Sequence, residues 1–302
     1  MATRTKEKRI EMNDLVQLVT RAEQLIGRLE QLLPRPAAAP DWDAARAFLW
    51  RRRNGHASLV PVTRPHAIRL KDLRDIDDQK ERIDLNTRQF LAGRRANNVL
   101  LTGARGTGKS SLVKALLNAY AGKGLRLIEV DRDDLMDLPE IIELVQGRPE
   151  RFILFCDDLS FEDAEPAYKA LKSVLDGSVA AVPDNVLIYA TSNRRHLMPE
   201  YHDENLQTQH VDGEIHPGEA VEEKISLSER FGLWISFYPF SQDEYLEIVA
   251  YWLKSFGLER KAIDAARQEA LQWALMRGSR SGRVAWQFAR DWAGRFETGN
   301  AR

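Results

Sequence analysis

A glycine-rich segment carries the clearest chemical signal in the sequence. Residues 103–110 read Gly-Ala-Arg-Gly-Thr-Gly-Lys-Ser, which matches the phosphate-loop pattern Gly-x-x-x-x-Gly-Lys-Ser/Thr. Glycines let backbone N–H groups curl around phosphates, and the following helix N-terminus adds partial positive charge. We expect the lysine to reach the β- and γ-phosphates and the serine to bind Mg²⁺. The predicted nucleotide-binding residues are Gly103, Ala104, Arg105, Gly106, Thr107, Gly108, Lys109, Ser110 and Ser111.

Two consecutive carboxylates follow a strand-like apolar run at residues 152–156. A carboxylate at the end of that strand can orient hydrated Mg²⁺, which suits Asp157, together with Ser110 as a metal ligand. The adjacent Asp158 would polarise the attacking water. Two aspartates are also common in an ordinary strand-end turn, and the phosphate loop is what favours the metal role. Cys156, inside the strand, is interpreted as a core residue.

Two further polar residues are candidates for the same site. Asn193 follows the apolar run 186–190 and could reach the γ-phosphate and its water, although an asparagine capping a loop is the alternative. Arg230 precedes the last strand-like run, and its alternative role is a surface arginine paired with Glu229 or Glu223.

Composition limits the other classes of function. The 302 residues include 44 Lys and Arg against 45 Asp and Glu, so the formal charge of −1 gives no general attraction to nucleic acid or membranes. The arginine runs at 51–53, 94–95 and 194–195 are interpreted as solvated charge, with phosphate contact as the weaker alternative. No apolar stretch approaches the ~20 residues of a membrane span. One cysteine and a charged N-terminus indicate a reducing, cytoplasmic location.

A metal site built from histidines is disfavoured. His196, His202, His210 and His216 lie in a long loop, 194–224, without a helical pair or an accompanying cysteine. The loop itself is long enough to sense nucleotide state or contact a partner.

The elements that must position these residues follow from the apolar pattern. Strand-like runs at 99–101, 125–130, 152–156, 186–190 and 233–237 alternate with helical patterns near 108–122 and 164–176, which indicates a parallel sheet covered by helices. Helical patterns at 242–257, 262–276 and 282–296 follow a capping box at 241–244. We therefore predict an N-terminal amphipathic helix and Pro/Ala linker at 1–40, a small segment at 41–66, an α/β nucleotide-binding domain at 67–240 and a helical lid at 241–302.

Over roughly residues 67–302 this set of motifs resembles the AAA+ ATPases. The segment 227–232 and the lid residues 280–283 are most similar to the branch of Holliday-junction motors, clamp loaders and helicase loaders. The strings 97–111, 155–161 and 190–197 resemble a bacterial AAA+ family known only as ATP-binding.

The resemblance implies roles for individual residues. It implies Walker A at 103–110, Walker B at Asp157 and Asp158, and sensor 1 at Asn193. It further implies an arginine finger at Arg230 and sensor 2 at Arg283, with Arg280 as the competing sensor 2 residue. Two positions depart from the family pattern: Asp158 stands where glutamate is commoner, and Asp75 stands where the adenine-packing segment 73–76 usually has glycine.

The resemblance also implies ATP and Mg²⁺ as cofactors and a homo-oligomeric ring or spiral, six subunits in the family, that hydrolyses ATP to remodel or load a macromolecular partner. A slow nucleotide-gated binding module is the alternative. A small-molecule phosphotransferase is a third possibility, which the helical lid and Arg230 disfavour. The segment 132–140 lacks an aromatic–hydrophobic–glycine triplet, which argues against a polypeptide-threading unfoldase. Protein and nucleic acid both remain open as the partner.

Overall fold

The computed structural model describes residues 40–53, 56–160, 166–177, 183–193 and 227–299, together with residues 20, 21, 23, 24, 209–211 and 214–216. Residues 1–40 and 52–58 form one unit, and residues 41–51 and 59–302 form a second. In the first unit, residues 20, 21, 23 and 24 are helical. Most of the predicted N-terminal helix and of the 194–224 loop therefore lies outside the described residues.

A mostly parallel sheet forms the core of the second unit. The strands are β1 (Ala47–Arg53), β2 (His56–Pro61), β3 (Val99–Gly103), β4 (Leu125–Glu129), β5 (Arg151–Cys156), β6 (Val186–Ser192), β7 (Gln209–Val211), β8 (Glu214–His216) and β9 (Leu233–Phe237). The main sheet has the order β2-β1-β4-β5-β6-β3-β9, and the pairs from β1 to β9 are parallel. Strands β7 and β8 form a separate antiparallel pair.

Helices cover this sheet and then form a lid. They are α1 (Asp77–Leu91), α2 (Lys109–Tyr120), α3 (Leu138–Val145), α4 (Pro166–Asp176), α5 (Gln242–Ser255), α6 (Arg260–Met276) and α7 (Gly282–Gly299). The predicted α/β core and C-terminal helical region are confirmed. Among these strands and helices, β1, β2, β7, β8, α1 and α3 were not predicted from the sequence.

The central strands are apolar on both faces because helices cover both. Every residue of β6 is buried, as are residues 99–102 of β3 and 152–156 of β5. Continuous burial of this kind is typical of parallel strands in α/β proteins. The functional ends of these strands are thus held by the least exposed part of the molecule.

Strand β1 joins the sheet through its apolar residues and one buried polar contact. The indole N–H of Trp50 donates to a carboxylate oxygen of Asp137 at 2.9 Å, and the Trp50 side chain is fully buried. The arginines that follow Trp50 in the sequence suggest an exposed segment, so the local pattern does not predict a strand here.

The lid packs around Phe288 of α7, whose ring lies edge-on to Trp273 of α6. Helix α5 begins with the predicted capping box: Glu244 N–H donates to the Ser241 hydroxyl, and Ser241 N–H donates to the Glu244 carboxylate at 2.6 Å. Among the described residues, no helix combines the length and apolar composition that crossing a bilayer requires.

Gly103, at the end of β3, provides a test of this packing. Its φ is +125°, and an added Cβ would lie 1.9 Å from the carbonyl oxygen of Phe237 on β9. We expect Gly103→Ala to lower the free energy of unfolding by about 3 kcal/mol or more, because backbone strain and overpacking add together. Gly122→Ala is the matched control, since open space surrounds that glycine. Urea unfolding followed by circular dichroism measures both, and equal stability of the two variants would contradict the packing described.

Candidate nucleotide-binding site

The phosphate loop connects the end of β3 to the start of α2. Gly106 and Gly108 have φ values of +75° and +104°, and Gly108 is the N-cap of α2. Glycine adopts this left-handed region without steric penalty, which explains why the loop needs it at these positions. The first N–H groups of a helix lack intrahelical acceptors, so the start of α2 is suited to an anion.

Lys109 lies buried at the centre of the site. Its ammonium donates to the carbonyl oxygens of Gly103 at 2.7 Å and Ala104 at 2.8 Å, and to the side-chain oxygen of Asn193 at 3.1 Å. Burial lowers the pKa of Lys109 to about 8, although the nearby carboxylates Asp158 and Asp157 oppose this shift. The pKa of Lys109 thus lies close to neutral pH, and an added anion would favour the charged ammonium.

The predicted magnesium ligands are adjacent. The Ser110 hydroxyl donates to Oδ1 of Asp157 at 2.6 Å. Hydroxyl and carboxylate oxygens are the ligands that Mg²⁺ prefers, so this donor pair fits the ion. In the described part of the chain, no group of three or more His, Cys, Asp or Glu residues could hold a metal alone. With one oxygen each from Ser110 and Asp157, Mg²⁺ would take its other ligands from phosphate and water, which is its usual mode at nucleotide sites.

Asn193 connects the lysine with the second carboxylate. Its side-chain N–H donates to Oδ1 of Asp158, while its oxygen accepts from Lys109. Asp158 has a φ of +53°, a left-handed conformation that is uncommon for a residue other than glycine. The turn after β5 and the end of β6 thus bring Asp158 and Asn193 together beside Lys109.

A cleft of about 820 Å³ extends from the phosphate loop to the lid. Its apolar lining includes Leu73, Ile76, Ile248, Trp252 and Trp286. This apolar composition would suit the flat face of a nucleobase.

Asp75, at the position where the resembled family usually has glycine, adopts a left-handed backbone conformation. Its φ is +60°. Burial, followed by the charges of Glu247 and Glu244, raises the pKa of Asp75 above its ordinary value.

The structure separates the two candidate sensor 2 arginines. Arg283 lines the cleft, and its backbone N–H donates to the carbonyl oxygen of Gly106 at 3.4 Å. Arg280 lines a second hollow, together with Ala104 and Leu275. Arg283 is therefore the better placed of the two to approach a nucleotide in the cleft.

Arg230 is not among the residues that line the cleft. Its guanidinium Nε pairs with the carboxylate of Asp176 at the end of α4, and its side chain is 24% exposed. The predicted alternative partner was a glutamate, and the observed partner is an aspartate more distant in sequence. The pair with Asp176 thus holds the Arg230 side chain beside the end of α4.

Sequence reasoning missed Thr191, which contacts both carboxylate residues. Its hydroxyl donates to Oδ1 of Asp157 at 2.6 Å and accepts from the Asp158 N–H at 2.9 Å. A hydroxyl residue at the end of the Asn193 strand was the available signal, but its partners depend on sheet pairing. Cys156 is buried as predicted, and burial raises the pKa of its thiol to about 12.

A family model described as "Protein of unknown function (DUF815)" matches residues 43–296. No curated protein matches the sequence. In the main sheet, the Asn193 strand lies between the phosphate-loop and carboxylate strands, and a helical lid follows, so the AAA+ fold expected from the motifs is confirmed.

Three of the solved structures with similar chain paths illustrate the range of similarity. The RuvB Holliday-junction branch-migration motor from Thermotoga maritima is 17% identical with a TM-score of 0.45, covering 74% of this chain and 63% of its own. Trip13, in the E. coli MS115-1 HORMA:CdnC:Trip13 complex, is the second: that structure is 13% identical with a TM-score of 0.48, covering 74% and 90%. A DNA replication initiation factor is 15% identical with a TM-score of 0.45, covering 77% and 64%. The present chain thus spans less than two thirds of the RuvB chain, and similarities of this size carry no information about substrate.

The pKa of Lys109 generates a prediction about nucleotide binding. Phosphates favour the charged ammonium, so binding should raise the pKa of Lys109 from about 8 and take up a proton when the pH is about 8 or higher. Affinity should therefore decrease as pH rises above about 8. Titration calorimetry in buffers of different ionisation enthalpy measures this uptake. Lys109→Arg is the control because its guanidinium stays charged, and an equal uptake in that variant would contradict the assignment.

Proposed function

The chain belongs to the DUF815 family, and on that premise we propose that it binds ATP with Mg²⁺ in the described cleft and hydrolyses the γ-phosphate. The observation that carries the proposal is the contact of Asn193 with both Lys109 and Asp158, next to the Ser110–Asp157 pair. The arrangement places three groups side by side: a cation that can bind phosphate, a pair of oxygens that can bind Mg²⁺, and a carboxylate that can polarise water.

Each side chain has a separate task in this proposal. Lys109 binds the β- and γ-phosphates, and Ser110 and Asp157 hold Mg²⁺, which supplies positive charge to the phosphate oxygens. Asp158 polarises the attacking water, while Asn193 orients its carboxylate. Arg283 brings a further positive charge from the lid. Asp158 is one methylene group shorter than a glutamate, so a water that it polarises would lie correspondingly closer to the backbone.

We propose that Arg230 acts on the nucleotide of a neighbouring subunit. Its position outside its own cleft and its partial exposure support this assignment. A residue that completes a neighbour's site requires a head-to-tail interface, which produces a ring or a spiral. The resemblance to AAA+ ATPases supports six subunits, a macromolecular partner to be remodelled or loaded, and a cytoplasmic location.

A slow nucleotide-gated binding module is the second candidate function. The observation that favours it is the short Asp158 side chain, which is already engaged by Asn193. In that case the ATP-bound shape acts on the partner, and hydrolysis only resets it. The near-neutral charge does not select between protein and nucleic acid as the partner.

The finger assignment predicts a concentration-dependent activity. The ATPase rate per subunit should rise with protein concentration in parallel with particle mass, because assembly completes each site. Arg230→Ala should lower that rate by about 10³-fold, while ATP binding to the isolated subunit is retained. Arg260→Ala, which alters a highly exposed arginine of α6, is the control. A slow ATPase rate that changes neither with protein concentration nor on substitution of Arg230 would favour the nucleotide-gated module.

Two substitutions in the cleft separate binding from chemistry. Lys109→Ala should abolish nucleotide binding, since it removes the buried cation. Asp158→Asn should retain ATP and lower turnover by roughly 10²-fold or more, because an amide cannot polarise water as a carboxylate does. Equilibrium dialysis and single-turnover hydrolysis measure the two effects. Unchanged turnover in Lys109→Ala would contradict the proposed function, and persistent hydrolysis in Asp158→Asn would remove that residue from the role.

A further inference from the structure

Thr191 occupies a buried position between the two carboxylate residues of the site. It lies on β6, two residues before Asn193, and is 1% exposed. Its hydroxyl contacts Asp157 and the backbone of Asp158, as described above. Neither the phosphate-loop pattern nor the carboxylate pair assigns it a role.

The hydroxyl is the one group that can make both contacts. It has a single proton, which it donates to Oδ1 of Asp157, and lone pairs, one of which accepts the N–H of Asp158. A methyl group in its place could do neither, and an amide would not fit the same volume. The direction of the two hydrogen bonds therefore follows from the chemistry of the partners.

On the metal side, Thr191 and Ser110 restrain the same oxygen. Each hydroxyl donates to Oδ1 of Asp157 at 2.6 Å, from β6 and α2 respectively. Two donors on one oxygen restrict rotation of the carboxylate about its Cβ–Cγ bond. Without the Thr191 hydroxyl, only Ser110 of these two would still donate to Oδ1 of Asp157, and Ser110 is itself proposed to bind Mg²⁺.

On the water side, Thr191 holds the turn that carries Asp158. The left-handed backbone of Asp158 is unfavourable for an aspartate and needs support from surrounding contacts. Thr191 supplies two, through its hydroxyl to the Asp158 N–H and through its carbonyl oxygen, which accepts the Leu159 N–H at 2.7 Å. The next residue, Ser192, donates to the carbonyl oxygen of Leu159 at 2.7 Å.

We propose that Thr191 is a positioning residue that sets the geometry of the metal-orienting and water-polarising carboxylates together. The inference rests on the proposed function and deepens it. Through Thr191, any displacement of the Asn193 end of β6 is transmitted to both carboxylates. Residues that orient metal ligands in this way typically affect metal affinity or activity by about 10–100-fold.

The test compares two substitutions of Thr191. Thr191→Val removes the hydroxyl with little change of shape, and Thr191→Ser keeps the hydroxyl. Thr87→Val is the matched control, because the Thr87 side chain on α1 is also buried and hydrogen-bonded. Its hydroxyl donates to the carbonyl oxygen of Ile83 and shares a hydrogen bond with the Tyr189 hydroxyl. Three quantities are measured: amide hydrogen exchange at Asp158 in the protein without nucleotide, the Kd of a fluorescent ADP analogue with and without Mg²⁺, and kcat against KM.

In Thr191→Val, we expect faster exchange of the Asp158 amide, an unchanged Kd without Mg²⁺, and a gain in affinity on adding Mg²⁺ that is reduced by about 10–100-fold. The value of kcat should decrease by a similar factor, with KM for ATP at saturating Mg²⁺ little changed. Thr191→Ser should restore all of these, and Thr87→Val should alter none. A general loss of packing would instead affect the Thr87 variant too.

Normal Asp158 exchange and a normal Mg²⁺ effect in Thr191→Val would overturn the inference, as would a failure of Thr191→Ser to restore them. Should the valine variant not fold, Thr191→Ala is measured in its place against the same serine variant. Failure of the proposed function is distinguishable, because it would appear as turnover that survives Lys109→Ala, whereas Asp158 exchange requires neither nucleotide nor turnover.

Discussion

The parallel register of three buried strands is the constraint on which the site depends. Strand β6 pairs with β3 through Ser192 and Thr102, and with β5 through Ala190 and Cys156. All three strands therefore end at one edge of the sheet. Parallel pairing with complete burial leaves little freedom to shift this register, because a slip of one residue would expose apolar side chains or bury polar ones. The phosphate loop, the carboxylates and Asn193 are thus brought together by core packing rather than by their own contacts.

This placement buries Lys109, and the burial determines how its charge interacts with the rest of the site. Carbonyl oxygens of the loop and the Asn193 amide replace the water that the Lys109 ammonium loses, and two carboxylates oppose the effect of desolvation on its pKa. A cation held in this way needs little rearrangement to meet phosphate oxygens, which is the condition for strong electrostatic stabilisation. The same contacts tie the loop of β3 to the end of β6.

The sequence was informative wherever a signal was local. The phosphate loop and the strand runs could be predicted because glycine spacing and continuous apolar residues report directly on backbone and burial. Strand β1 was missed because its run of arginines is typical of a surface segment. The hydrogen bond from its buried Trp50 to Asp137 joins residues that are distant in sequence. The roles of Thr191 and the Asp176 partner of Arg230 depend on pairing between distant elements. Periodicity and motif spacing contain no information about such contacts.

The contact between Gly106 and the lid has a mechanical consequence. An added Cβ at Gly106 would lie 2.8 Å from the Ser281 hydroxyl, so the start of α7 abuts the phosphate loop. Helix α7, with 18 residues, is about 27 Å long. Because α7 also packs on α5 and α6, a rotation about this contact would move the three lid helices together. A rotation of about 5° about this point would displace the far end by about 2 Å, given the helix length. Small adjustments around a phosphate would thereby become visible at the surface of the lid.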